Sequence, residues 1–237
     1  MKTKFFKIEV LSNMHVGNGE INYGLIDNLI QRDPITELPN INSSSLKGAL
    51  REYFKHVEEN KKKKGSWTVA DIFGSDPKDK ANRKQGSVRF FEAEIVAIPV
   101  RDDDKPYIMI TSGETLEGLE KRMQGFNLSI TKEKIKELIG NPEEKSYPKF
   151  KEKCSNEELP VISRNNLEDG QSANLWYEQV LPKQSVLVFA VMGEEKDASG
   201  KENNAFKDFC GELNGTQVQI GANATIGYGY CLITEMA

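Results

Sequence analysis

Ser43-Ser44-Ser45-Leu46-Lys47-Gly48-Ala49-Leu50-Arg51-Glu52-Tyr53-Phe54-Lys55-His56-Val57 is the stretch on which the reading of the fold turns. Leu46, Leu50, Tyr53, Phe54 and Val57 fall at i, i+4, i+7, i+8 and i+11, one continuous apolar face of an α-helix. The serines Ser43–Ser45 predict its N-cap. Lys47, Arg51 and Lys55 recur every fourth residue, which at about 100° per residue makes a cationic stripe beside the apolar face. His56, next to that face, reads as structural.

Upstream, Phe6, Ile8 and Val10 alternate with Lys7, Glu9 and Leu11, the period of a half-buried strand. Residues 13–42 carry Gly, Asn, Asp and Pro with no helical period, and a loop of that length in a compact protein is usually functional. Downstream, residues 58–64 are charged and end in the run Lys61-Lys62-Lys63-Lys64, expected as solvated chain, with loop continuing to Gly86. Residues 87–100 and 107–111 predict strands joined by a turn at Asp102-Asp103-Asp104 and Pro106, which lacks the ligand spacing of a calcium loop. Leu116, Leu119 and Met123 predict one helix, and residues 132–139, capped by Thr131, another. Residues 141–170 are polar with three prolines and read as an inserted arm. Residues 175–180 and 186–192 predict a hairpin around Pro182-Lys183, with one of Trp176 and Tyr177 in the core. A loop over 194–204 precedes a last helix face of Phe206, Phe209, Cys210 and Leu213, and two strands flank a glycine-rich turn at the end. This order is an elaborated βαββαβ: an α+β, ferredoxin-like (RRM-like) fold in one domain, residues 1–237.

Composition narrows the function classes. Of 237 residues, 38% are hydrophobic and 29% charged, the balance of a soluble globular chain. No apolar run approaches the ~18 residues of a membrane span. The start breaks at Lys7 and Glu9, so no signal-peptide core is expected. Cys154, Cys210 and Cys231 have no CxxC spacing and read as reduced thiols of a cytoplasmic protein, not a zinc or disulfide framework. A net charge of −4 weighs against a generic nucleic-acid coat but allows basic residues confined to one groove.

Three segments carry candidate chemistry. Free amides, hydroxyls and the dipole at the start of the first helix attract anions, with Lys47 and Arg51 beside them; alone, this is equally a capped surface helix. Residues 219–229 hold Gly221, Gly227 and Gly229, leaving backbone bare for close approach to phosphate; with no following Lys-Ser or Lys-Thr this is no P-loop, and alone it is equally a structural turn. The long loop holds His15, Gly17, Gly19, Gly24 and Asp27, where a satisfied loop histidine and a turn carboxylate are the plainer readings.

Together these segments are specific. A His-x-Gly-x-Gly loop after the first strand comes first, then Asp27 and Ile30-Gln31-Arg32-Asp33. Pro39 then leads into Ser-Ser-Leu-Lys-Gly-Ala-Leu-Arg, and a glycine-rich loop lies near the C-terminus. This pattern, over residues 5 to 233, resembles the RAMP superfamily of CRISPR proteins, and within it the backbone subunits of type III-B (Cmr) effector complexes. Ala97-Ile98-Pro99-Val100-Arg101, Leu175-Trp176-Tyr177-Glu178-Gln179-Val180-Leu181-Pro182 and Gln219-Ile220-Gly221 favour that group over its type III-A (Csm) counterpart. One departure is Ala224, where members of the family often carry an acidic residue before Thr225.

The resemblance implies a ferredoxin-like palm with a protruding thumb, expected within residues 141–175, and head-to-tail stacking into a homo-oligomer along CRISPR guide RNA beside other Cmr-complex subunits. It implies cleavage of complementary target RNA with a divalent metal ion, Mg or Mn. Asp27 is then the expected general base or metal ligand, and His15 a second catalytic candidate. Ser43, Ser44, Ser45, Lys47, Arg51, Gly221, Asn223, Thr225, Gly227 and Gly229 are the expected RNA contacts. Three readings stay open beside it: the equivalent type III-A (Csm) backbone subunit, a non-catalytic guide scaffold, and a precursor-RNA endonuclease of the same superfamily using His15 as acid–base.

Overall fold

The computed structural model describes residues 1–20, 24–60, 66–75, 83–194 and 204–236. The alternation in the first strand sets its layering. In β1 (Lys2–Val10), Phe6, Ile8 and Val10 are buried on one side of the sheet and Phe5 on the other. Both sides therefore need a helical layer.

The first layer comes from α1 (Ser43–Asn60), α2 (Val69–Phe73) and α6 (Asn204–Leu213). Leu46, Leu50 and Phe54 of α1 are buried as the period requires, each contributing roughly 1.5–3 kcal/mol. Phe54, Trp67 and Phe209 close an aromatic cluster with centroids 5.3–5.5 Å apart. The second layer is α3 (Gly113–Gly125) and α4 (Lys132–Leu138), whose Leu116, Leu119, Met123 and Ile135 pack with Phe5. Ser112 and Thr131 cap these two helices through their side chains, the latter as the sequence predicts.

The remaining elements, in chain order, are β2 (Asn40–Ile41), β3 (Arg89–Phe90), β4 (Ala93–Val100), β5 (Ile108–Ser112), β6 (Glu143–Lys145) and α5 (Tyr147–Lys153). They are followed by β7 (Val161–Glu168), β8 (Gln171–Gln179), β9 (Val186–Gly193), β10 (Thr216–Gln219) and β11 (Tyr230–Glu235). Among the described residues the main sheet runs β10-β11-β1-β9-β4-β5-β6, antiparallel except for the β5–β6 pair, with β2 on β4 and β3 on β9. In register, Phe6 faces Glu235 of β11 and Phe189 of β9. The chain is thus a mixed α+β protein built on one large sheet.

Several expectations change. Residues 175–180 and 186–192 do not form a hairpin: β8 pairs with β7 in a separate two-stranded sheet, while β9 sits between β1 and β4. The strand expected over 87–100 is two strands broken at Phe91-Glu92. The loop expected before Gly86 contains α2, held by a capping box in which Thr68 and Asp71 bond each other's backbone. Helix α1 begins at Ser43, so the serines occupy its first turn rather than its cap, and Glu58–Asn60 belong to the helix. The stretch 141–175 divides in two. Phe150, Cys154 and Leu159 are buried against the main core, whereas the β7–β8 hairpin is largely exposed. The run Lys61–Lys64 and most of the 194–204 loop lie outside the described residues.

Candidate nucleic-acid interface

The long loop after β1 is fastened at both ends to elements far away in sequence. Its first part bridges Met14 to Leu181, and Gly17 pairs with Ile30 within the loop itself, while Arg32 near its other end donates to the Cys154 carbonyl at 2.7 Å. His15, 5% exposed, donates from Nδ1 to the Gln179 carbonyl at 2.7 Å; a carbonyl only accepts, so Nδ1 carries the proton. Gln179, fully buried, is a hub. Its Oε1 accepts from the Ile30 amide at 3.4 Å, and its Nε2 donates to the Asn156 carbonyl at 3.2 Å.

Two residues before Gln179 on the same strand edge, Tyr177 holds Asp27. The Tyr177 amide donates to Asp27 Oδ2 at 2.8 Å, and the Asp27 and Asn28 amides donate back to the Tyr177 carbonyl at 3.1 Å. The rest of Asp27 is exposed. His15 and Asp27 therefore hang from one edge of β8, at its root, the former inside the protein and the latter at its surface.

The glycine-rich loop closes over the same loop from the other side. Ala222 N donates to His15 O at 2.9 Å, and Gly229 N donates to Asn13 O at 2.9 Å. Gly221 and Gly229 have φ of +92° and +73°, and a Cβ at either would overlap a backbone carbonyl, that of His15 or Ile220 respectively. Glycine is required at both by close backbone approach as well as by dihedral. Gln219 Nε2 ties the neck of the loop to the Gly221 carbonyl at 2.9 Å and the Tyr228 carbonyl at 3.3 Å. At its crest, a 3-10 turn over Ala224–Ile226 leaves Thr225 exposed, with Asn223 and Gly227 both left-handed. Asn223 is committed inward: its Nδ2 donates to Glu178 Oε2 at 2.9 Å.

The start of α1 stands between two clefts. One, about 590 Å³, is lined by Gly17, Ser45, Gly48, Gln219 and Gly221 among others, with Glu52 and His56 also on its wall, so the helix start, the His15 loop and the glycine-rich loop share it. The other, about 550 Å³, is lined by Ser43, Ser44, Lys47, Arg89 and Phe90 among others. Lys47 Nζ sits 6.0 Å from the Phe90 ring centroid, a cation–π arrangement that keeps the ammonium at the cleft wall. Arg51 follows one turn later, half-buried, lining neither cleft. Gln31 fixes the helix start: its Oε1 accepts from the Asn42 amide at 2.9 Å and its Nε2 donates to Ser45 Oγ at 3.2 Å. Ser45 is thus partly engaged within the protein, whereas Ser43 and Ser44 are exposed.

Sequence reasoning missed Arg89, Phe90, Gln179, Glu178 and Gln31 as parts of this surface. Arg89 and Phe90 are legible only as a short strand, and the others act across chain separations that no local pattern reveals.

As a metal site, Asp27 has no protein cage around it: among the described residues no group of three His, Cys, Asp or Glu is close enough to hold an ion. An exposed carboxylate such as that of Asp27 does fit an oxygen-seeking ion such as Mg²⁺, which keeps several waters and needs one or two carboxylates plus phosphate oxygens.

The model of the RAMP superfamily matches residues 7–232. The "CRISPR system Cmr endoribonuclease Cmr4" of Pyrococcus furiosus is 25% identical over a gapped alignment of 289 positions, covering 99% of this chain and 96% of that protein. Two solved structures share the fold. The type III-B Cmr-beta complex bound to cognate target RNA contains a chain with TM-score 0.76 at 20% identity, covering 100% of this chain and 98% of that one. Oligomeric Cmr4 from Pyrococcus furiosus gives TM-score 0.72 at 21% identity over 100% of both chains. With the family model matching nearly the whole chain, this protein belongs to the RAMP superfamily.

Proposed function

We propose that the chain is a backbone subunit of a type III-B CRISPR (Cmr) effector complex, binding guide RNA as a head-to-tail homo-oligomer and cutting complementary target RNA at regular intervals. The observation that carries this reading is the joint at the root of β8. There the Asp27 loop, the His15 loop and the glycine-rich loop meet, and the latter two share a cleft with the start of α1, whose Lys47 lines the neighbouring cleft. It is supported by a relative named as a Cmr endoribonuclease and by fold likeness to chains of a target-bound Cmr complex and of an oligomeric Cmr4.

In this reading β11-β1-β9-β4, with α1 after β1 and α6 after β9, is a ferredoxin-like palm, and the β7–β8 hairpin is the thumb. Lys47, Arg51, Ser43, Ser44 and the glycine-rich loop hold guide phosphates and read no sequence, because pairing supplies specificity. The thumb splays the target strand, turning a ribose 2′-hydroxyl in line with its own 3′-phosphate. Asp27 accepts the hydroxyl proton as the 2′-oxygen attacks phosphorus. The 5′-oxygen of the next nucleotide leaves and takes a proton from water, giving a 2′,3′-cyclic phosphate and a 5′-hydroxyl. In the alternative role, Asp27 would instead hold a Mg²⁺ or Mn²⁺ ion, which would neutralise phosphate charge. The place of action is the cytoplasm; no described helix is long and apolar enough to cross a membrane.

His15 serves this arrangement as a brace: buried and bonded to Gln179, it does not present an imidazole to solvent, which disfavours the acid–base role of a precursor-processing enzyme. Ala224 favours the scaffold reading as the competitor. The assembled guide-loaded complex separates them. RNA complementary to the guide should be cut into a ladder of fixed spacing, and 2′-deoxy substitution at one cut position should remove that cut alone. An intact target in a fully assembled, metal-supplied complex establishes the scaffold instead.

A further inference from the structure

The β7–β8 hairpin poses a mechanical problem. It forms its own two-stranded sheet apart from the main one, and such hairpins are marginally stable by themselves. Its direction must be set by what touches it. One tether is its root, where Tyr177 and Gln179 bond Asp27, Asn28 and His15. The other tether is to the glycine-rich loop. Glu178, 6% exposed, accepts from Asn223 Nδ2 at 2.9 Å, and the Arg164 guanidinium lies 5.4 Å from the Tyr228 ring centroid. A carboxylate this buried is tolerated only when hydrogen-bonded, and Asn is among the few residues that accept left-handed backbone, here φ +65°. Each partner thus suits the other's unusual position.

Alternation makes the geometry consequential. Glu178 lies between Tyr177, whose amide holds Asp27, and Gln179, whose carbonyl holds His15. One short segment of β8 therefore offers its backbone to the candidate catalytic loop and its side chain to the candidate guide-binding loop.

We propose that Glu178 and Asn223 are a positioning pair that locks the hairpin to the glycine-rich loop, fixing Asp27 relative to the guide phosphates. The proposal rests on the guide-binding, target-cutting reading above. Glu178 touches no substrate; it acts through Asn223 on one side and through β8 on the other. Arg164 on Tyr228 supports the same docking from farther along the hairpin.

The test uses the assembled guide-loaded complex under single turnover at saturating target. Glu178→Ala should slow cutting about tenfold or more, the scale of a small misplacement of reacting groups. Guide and target affinity should stay within about threefold, since backbone contacts dominate binding. Glu178→Gln, still able to accept from Asn223, should recover to within about threefold of wild type. Asn223→Ala should slow cutting similarly, and the double Ala variant should be no slower than the worse single. Wild-type cutting by Glu178→Ala, failure of Gln to rescue, or additive losses would overturn the pairing. A second measurement needs no cleavage. In the free chain, Glu178→Ala should speed hydrogen exchange in both 161–179 and 223–229. If it speeds neither, the lock is absent; if it speeds both while wild type never cuts RNA, the lock stands and the functional reading falls.

Discussion

Asp27 and Tyr177, 150 positions apart, clasp each other twice: side-chain carboxylate to amide at 2.8 Å and backbone amide to carbonyl at 3.1 Å. This separates what Asp27 does for the fold from what it is proposed to do for RNA. Asn in its place still offers an oxygen to the Tyr177 amide but loses charge and basicity. Asp27→Asn should keep guide and target affinity and melt within about 2 °C of wild type, because the clasp persists. Cutting should fall by about 10²–10⁴, the usual contribution of a positioned proton acceptor. Single-turnover rates beside a melting curve check this, and cutting at the wild-type rate would remove Asp27 from the chemistry.

Lys47 and Arg51 are expected to differ. Lys47 lines a cleft with Ser43, Ser44 and Arg89, whereas Arg51 lines neither cleft at the helix start. Lys47→Ala should reduce the salt slope of guide binding by about 0.7, one single-strand phosphate contact, and Arg51→Ala by less. Binding titrations across salt concentrations decide this. Equal and unchanged slopes would place the guide elsewhere.

The glycines sort themselves by surroundings. Gly221→Ala and Gly229→Ala press a methyl into a carbonyl at positive φ and should cost about 3 kcal/mol or more. At Gly227, φ +84°, an added methyl group would meet nothing within 4 Å, so Gly227→Ala should cost only about 1–2 kcal/mol of left-handed strain. At about 2–4 °C per kcal/mol for a chain of this size, thermal melts resolve the two classes.

Asp71 gives a pH-dependent prediction. The Lys84 ammonium beside it, with hydrogen bonds from Thr68, holds its carboxyl below the ordinary 3.8. A depressed folded value means that the stabilisation is present above the unfolded value and lost as pH falls through the folded one. Asp71→Asn should therefore melt lower than wild type at pH 7, by no more than about 1 kcal/mol given how exposed the pair is. The gap should close below pH 3.8. A gap that does not narrow in acid would show that the carboxylate's charge contributes nothing.

What the sequence discloses follows from how local each signal is. Helices α1, α3, α4 and α6 declare themselves through apolar spacing within one element, and β1 through its alternation. α5 is hidden because Pro148 reads as a breaker, although it sits in the first turn, where proline is tolerated, and Phe150 and Cys154 mark the buried face. α2 carries a short signal inside an otherwise loop-like stretch, Thr68-x-x-Asp71 with Ile72 and Phe73 following. The false hairpin arises because Pro182-Lys183 looks like a tight turn between strands. The true partner of β8 is the polar segment Arg164-Asn165-Asn166, which shows no alternation because the hairpin has little buried face. Asp27, His15 and the glycine-rich loop are visible as residues, but their meeting at Tyr177–Gln179 depends on contacts across 150, 164 and 45 positions respectively.

The two helical layers carry a last consequence. A sheet that reads single-stranded RNA by stacking bases on its aromatic residues must leave one face bare. Here Phe6 and Phe189 are sealed beneath α1, α2 and α6, and Phe5 lies under α3 and α4. Neither covered face can offer these rings to a base. On the proposed function, nucleic acid runs along the rim instead, over loop backbones and helix starts. On that reading the two covered faces leave sequence to be read by the paired RNA and not by the sheet.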